Sequence, residues 1–191
     1  MATDKRETIL KVSQNLFSRF GLVKTTVDEI ARLARIGKGT VYHYFKSKED
    51  IFAEVVEKES RLLKQKIREV LQTETSSRAK LAAFVKTRFR YLKELTNYYS
   101  ALTDEYLEHY GFIEEARRKY LDDEIQMIKT ILNKGVRSGE FDIDDTQLTA
   151  QTIVFALKGM EYPWTFESTI MDIERSINQL LNILFKGIEK R

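Results

Sequence analysis

A single proline, Pro163, and only eight glycines punctuate 191 residues. So few breakers over such a length restrict the chain to long helices. Apolar residues recur at helical spacing through most of it, so the expected class is all-α. Hydrophobic residues make up 42% of the chain, enough for one or two small domains with a real core. Cysteine is absent, which excludes disulfides, cysteine-rich zinc sites and thiol catalysis. No stretch approaches the roughly 18 apolar residues of a membrane span, and no signal-peptide pattern opens the chain. The expected location is therefore the cytoplasm.

The net charge of +3 is unevenly placed. Residues 1–50 hold ten Lys/Arg against six Asp/Glu, whereas the remainder holds 22 against 23. Between Ile30 and Lys48 stand Arg32, Arg35, Lys38, Lys46 and Lys48, with no acidic residue. A basic surplus concentrated in one segment is the electrostatic footprint of a nucleic-acid binder.

Within that segment Val41 and Phe45 are four apart and share one helical face, which with Ile36 anchors the run to a core. Lys38, Thr40, Tyr42, His43 and Tyr44 then project elsewhere. Hydroxyls, an imidazole and a lysine suit contacts to base edges and phosphates. Gly37 and Gly39 remove side chains where a helix N-terminus, which attracts phosphate, approaches a backbone. Upstream, Thr26-Val27-Asp28-Glu29 reads as a capping box, followed by Val27, Ile30, Ala31 and Ala34 at helical spacing. A turn at Arg35–Gly37 joins the two short helices, giving a helix-turn-helix pattern. Ser47 is a candidate N-cap for the long helix that follows, and Lys48 lies beside the same phosphate track.

These residues resemble the TetR/AcrR family of bacterial transcriptional regulators. Phe17–Gly21, Thr25–Ala34 and above all Gly37-Lys38-Gly39-Thr40-Val41-Tyr42-His43-Tyr44-Phe45-Lys46-Ser47-Lys48 carry the resemblance, over about the first quarter of the chain. It implies DNA contacts by Lys38, Gly39, Thr40, Tyr42, His43 and Tyr44, with Thr26 and Lys48 on phosphates. It also implies a helical second domain that binds a small effector, and a homodimer formed through the last two long helices.

The expected architecture is a three-helix domain over residues 1–47 and a larger helical effector-binding and dimerisation domain over 48–191, about nine helices in all. The first helix spans about 4–20, with Ile9, Leu16, Phe17 and Phe20 as one buried stripe and Gly21 as its stop. Lys5, Arg6 and Lys11 are further candidates for phosphate contact. The fourth helix runs from about Lys48 to Gln72, roughly 37 Å at 1.5 Å per residue. Ile51, Phe52, Val55 and Val56 serve the small domain, and Leu62, Leu63, Ile67, Val70 and Leu71 a second core. Ser76 or Ser77 caps a helix over about 78–95. A Tyr-rich segment with Tyr98, Tyr99, Leu102, Tyr106 and Tyr110 follows a break near Asn97. Further helices are expected over about 112–138, from a cap at Asp144 or Asp145 to about Tyr162, and over about 171–189. Pro163 is expected to end the penultimate helix, with Trp164 and Phe166 in a loop.

On the last helix, apolar residues cover roughly 200° of arc, well beyond the ~100° stripe of a one-sided surface helix. The surplus, including Ile177, Leu180, Leu181 and Leu184, is expected to face a second subunit, since helix-turn-helix proteins read two-fold sites as dimers. Aromatics concentrate after residue 80, and Phe89, Leu102, Tyr106, Met127, Phe155 and Tyr162 are candidates to line an effector pocket. The expected effector is a small apolar or aromatic molecule, such as a fatty acyl compound or a hydrophobic drug. No cofactor and no metal are expected. The two histidines, His43 and His109, lack any partner pattern, and there is no Gly-rich phosphate loop or nucleophile elbow, so no catalytic residue is assigned. The expected function is a ligand-responsive regulator, a repressor released from a palindromic DNA operator. The alternative is a helical protein-interaction module without specific DNA binding, which leaves the acid-free aromatic run unexplained.

Overall fold

A computed structural model describes residues 5–91, 94–95, 97, 111–166 and 170–189. Among the described residues it has eight helices, α1 (Lys5–Lys24), α2 (Val27–Ala34), α3 (Lys38–Tyr44), α4 (Lys48–Thr73), α5 (Ser77–Arg90), α6 (Gly111–Ser138), α7 (Thr146–Phe166) and α8 (Ile170–Ile188). The chain divides into two compact units, Met1–Arg61 with Leu95–Ala116, and Leu62–Glu94 with Arg117–Arg191. The Tyr-rich segment at 98–110 lies outside the described residues. None of the described helices is long and apolar enough to cross a membrane.

In the first unit, α1 buries Ile9, Leu10, Leu16 and Phe17. Gly21 interrupts it at φ 73°, ψ 169°, a conformation that needs glycine. Phe20, expected in the buried stripe, is instead 54% exposed. It has the right helical angle but sits past the end of the core, and the turn at Gly21 sends Leu22 inward in its place. Phe17 meets Phe52 of α4 edge-on, with ring centroids 5.1 Å apart. Ile51, Phe52, Val55 and Val56 are all buried. Arg6 pairs with Glu54 of α4 and lies over the Phe45 ring at 5.3 Å. Deeper in, the buried Glu59 Oε1 accepts from Gln14 Nε2 at 2.8 Å and from Asn97 Nδ2 at 2.7 Å.

In the second unit the remainder of α4 buries Leu63 and Ile67, while Leu62, expected in that core, is 40% exposed. It is one residue, or 100° of helix, away from Leu63. The Ser76 hydroxyl caps α5 by accepting from the Ala79 N–H at 3.0 Å. α5 ends at Arg90 rather than near residue 95, with Tyr91 as its C-cap at φ −86°, ψ −1°. Leu81, Phe84, Val85 and Phe89 face the core with Ile125, Ile128, Ile131 and Leu132 of α6. One ion pair is sealed in with them: Arg88 Nε donates to Glu124 Oε1 at 2.9 Å, with side chains 1% and 5% exposed.

Gly139, at φ 76°, ends α6 and turns the chain so that Phe141 lies on Gly135, where any β-carbon would collide with its ring. Asp145 caps α7 by accepting from the Gln147 and Leu148 N–H groups, both at 2.9 Å. α7 does not stop before Pro163 but runs to Phe166. Proline removes a single i→i−4 bond here, within the last turn, so few later bonds depend on it. Ile173, Ile177, Leu181 and Phe185 form the inward stripe of α8 at spacings of four.

Glu140 supplies a second, long-range cap to α5. Its carboxylate accepts from the Ser77 and Arg78 N–H groups at 3.1 and 3.2 Å, and from the Ser138 hydroxyl at 3.0 Å. Burial alone raises its pKa, but these hydrogen bonds outweigh it and hold the carboxyl below its ordinary 4.5. A group whose pKa is depressed by folding contributes stability above its unfolded pKa and loses it as pH falls through the folded value. Glu140→Gln is expected to lower the thermal midpoint at neutral pH. The difference from the wild type should shrink as pH drops below about 4.5 and Glu140 itself becomes protonated, measured by circular dichroism melts across pH.

Candidate nucleic-acid interface

The geometry of α3 is set by what precedes it. Thr26 caps α2: its hydroxyl accepts from the Glu29 N–H at 3.3 Å, while Glu29 Oε2 accepts from the Thr26 N–H at 3.0 Å. The same hydroxyl donates to Glu29 Oε2 at 2.9 Å, and these Thr26 bonds lower the Glu29 pKa. α2 ends with Arg35 in the left-handed region at φ 56°, ψ 42°. The Arg35 N–H reaches the Arg32 carbonyl at 3.2 Å and the Ile36 N–H the Ala31 carbonyl at 3.0 Å. This is a Schellman turn made without glycine, and it reverses the chain within three residues.

α3 starts at once from Gly37, which caps it with backbone alone. Val41 and Phe45 are 1% and 4% exposed and hold the helix down. Lys38, Gly39, Tyr42, His43 and Tyr44 are exposed and Thr40 is half-exposed, so all six expected recognition residues reach the surface. The His43 and Tyr44 rings stand perpendicular at 5.2 Å. Past α3, the Ser47 hydroxyl accepts from the Asp50 N–H at 3.1 Å, and Asp50 accepts from the Lys46 N–H at 3.1 Å. This exchange starts α4 and places Lys46 and Lys48 next to α3.

An open groove of about 380 Å³ results. It is lined by Thr25, Thr26, Tyr42, Ser47, Lys38, Lys46 and Lys48, together with Val23, Val27, Asp28 and Glu49. Lys48 Nζ donates to the Val23 carbonyl at 3.4 Å. Lys46 and Lys48, three hydroxyl side chains and a tyrosine give the groove the chemistry of a phosphate track, with Lys38 held beside it by Asp28. The interface also holds two features that sequence reasoning passed over. Asp28 meets Lys38 Nζ at 2.9 Å, and Arg35 has a left-handed backbone. For the first, the acid in the first turn of α2 and the lysine at the start of α3 were both legible, but their approach depends on the turn between them.

The other expected sites lie apart from this groove. Ile177 and Leu181, expected at a dimer interface, are buried within the chain's own second unit, while Leu180 and Leu184 are half-buried. Of the pocket candidates, Phe89 is buried, Met127 half-buried and Phe155 57% exposed. Leu102, Tyr106 and the side chain of Tyr162 lie outside the described residues. Among the described residues no group of His, Cys, Asp and Glu could hold a metal ion.

A short exposed helix, set against a capped helix by a tight turn and flanked by lysines, defines a helix-turn-helix DNA-binding protein. Comparison with known proteins agrees. Residues 9–55 match the family model for bacterial regulatory proteins of the tetR family, and residues 57–190 that for the QacR-like protein C-terminal region. The chain is 28% identical over 195 residues to the HTH-type transcriptional regulator QacR of Staphylococcus aureus, covering 97% of this chain and 98% of that one. A transcriptional regulator from Cytophaga hutchinsonii has a similar structure, with a TM-score of 0.81 at 25% identity over 98% of this chain and all of the other. FadR from Bacillus subtilis, solved in complex with stearoyl-CoA, has a TM-score of 0.76 at 23% identity, covering 92% and 96%. The chain belongs to the TetR family of transcriptional regulators, with a QacR-like C-terminal region. It is a regulator and not an enzyme.

Gly39 lies on the exposed face of α3, and a β-carbon there would meet nothing within 4 Å. The folded chain therefore leaves room for a side chain at this position, so a loss of DNA binding on adding one would come from the duplex and not from the fold. Gly39→Ala should leave the thermal midpoint unchanged or raise stability by up to about 1 kcal/mol, since alanine favours helix. The same variant should bind DNA at least tenfold more weakly by fluorescence anisotropy.

Proposed function

We propose that this regulator is a homodimeric repressor that reads a palindromic operator with α3 and is released by a small, mainly apolar effector. The observation that carries the DNA reading is the exposed face of α3 beside the lysine-lined groove. In this reading Lys38, Gly39, Thr40, Tyr42, His43 and Tyr44 meet the major groove. Lys48 meets phosphate, and Thr26 does so by turning its hydroxyl proton from Glu29 Oε2 to a phosphate oxygen while its oxygen still accepts from the Glu29 N–H.

Dimerisation is supported by apolar surface left on the last two helices. Leu148 and Phe155 of α7 are 59% and 57% exposed, and Ile183 of α8 is 61% exposed. Leu148, Thr152, Phe155 and Gly159 follow one another at spacings of three and four, an outward stripe with small residues that lets a second helix approach. Leu180 and Leu184 extend the Ile183 face. Phe155 thus serves the pairing of subunits rather than a pocket. The effector reading rests on the family, on the buried Phe89 and half-buried Met127, and on the shared fold with a regulator solved with stearoyl-CoA. An effector that prefers one spacing of the two recognition helices shifts the population away from the DNA-competent form. Cytoplasmic location follows from this role.

A fluorescence titration against duplex DNA upstream of the protein's own gene, at two salt concentrations, tests the reading. Tight, selective binding that weakens steeply with salt is expected. Release by acyl-CoA or by a hydrophobic drug added to the same assay identifies the effector class. Tyr42→Ala should weaken operator binding by roughly 1–3 kcal/mol with the dimer intact. Ile183→Glu should yield a folded monomer by light scattering, and a variant that stays dimeric moves the interface away from α8.

A further inference from the structure

Asp28 is out of place in the interface. It lies on the first turn of α2 and lines the groove that also holds Lys38, Lys46 and Lys48. Its side chain is 70% exposed. Two neighbouring acids have local tasks, Glu29 in the α2 cap and Asp50 at the start of α4. The contact the structure shows for the Asp28 carboxylate is the ammonium of Lys38, at 2.9 Å across the turn. That pairing raises the Lys38 pKa, first through the hydrogen bond and then through the charge.

Resting on the DNA reading above, we propose that Asp28 sets the sequence discrimination of this interface by making Lys38 a base reader rather than a phosphate contact. An exposed lysine is a flexible point charge that seeks phosphate, and phosphate contacts carry no sequence information. Paired with Asp28, the Lys38 ammonium stays charged but has that charge compensated, and it keeps two N–H donors. Those donors can serve guanine O6 and N7, which accept from lysine in the major groove. Compensating the one charge that would otherwise settle on phosphate removes affinity that carries no sequence information, which works against the wrong partner. An exposed pair contributes little to folding stability, so its effect belongs to the DNA-bound state.

The test uses the full-length dimer with two duplexes, one of random sequence and one enriched by the wild-type protein from a random pool. Asp28→Asn is expected to raise affinity for the random duplex several-fold. It should steepen the salt dependence there by about 0.9 in log–log slope, the release expected for one added phosphate contact. Preference for the selected duplex should fall. In a Lys38→Ala background the same substitution should leave the slope unchanged, because the freed lysine is what makes the new contact. Lys38→Ala alone should weaken the selected duplex while leaving the random-duplex slope at its wild-type value. Thermal melts check that the variants fold, with Asp28→Ser as a replacement where Asn disturbs the α2 cap. The proposal is overturned if Asp28→Asn changes neither slope nor preference, if it acts equally without Lys38, or if Lys38→Ala by itself flattens the random-duplex slope. Wild-type protein that retains no duplex at low salt would instead refute the DNA reading itself.

Discussion

The burial of Val41 and Phe45 is the constraint on which the interface depends. α3 has seven residues, far fewer than an isolated helix needs to persist in water. Its backbone therefore stays helical because two side chains on one face are removed from solvent, each worth on the order of 1.5–3 kcal/mol. Arg6 reinforces the same point, lying over the Phe45 ring while it pairs with Glu54 of α4. Everything on the opposite face of α3 is displayed because this face is fixed.

Backbone capping then sets where α3 stands. Thr26 with Glu29 starts α2, the left-handed Arg35 ends it, Gly37 starts α3, and Ser47 with Asp50 starts α4. Four boundaries fall within some twenty residues, and each is closed by a local hydrogen bond rather than by tertiary packing. The turn and the orientation it imposes are therefore properties of a short stretch of chain. The second unit adds joints made by residues distant in sequence to its local caps at Ser76 and Asp145. Glu140 caps α5 from 63 residues away, and Arg88 reaches Glu124 across the core. A buried pair of that sort makes register costly to change, since removing either partner strands a charge.

The local devices of both units were legible for that reason. The capping box, the glycine stop at Gly21, the caps at Ser47, Ser76 and Asp145, and the anchoring pair Val41 and Phe45 each follow from a handful of adjacent residues. Apolar periodicity located the helices but assigned their faces less well. Phe20 has the helical angle of a core residue yet lies beyond the core. Leu62 neighbours a buried residue on the helix, and Ile177 and Leu181 turn toward their own chain rather than toward another. A helical wheel records angle alone, whereas burial also depends on where along the axis a neighbour exists.

Sequence by itself determined that this chain is helical, where its helix-turn-helix segment lies, which side chains that segment carries and which family it belongs to. These depend on breaker scarcity, local hydrogen bonding and a charge pattern, all of which act over a few residues. Tertiary structure alone decided that Asp28 meets Lys38 across the turn, that Glu140 serves the start of α5, and that Phe155 and Ile183 are left facing outward. Those outcomes depend on which surfaces meet, and periodicity along one helix carries no information about the helix opposite.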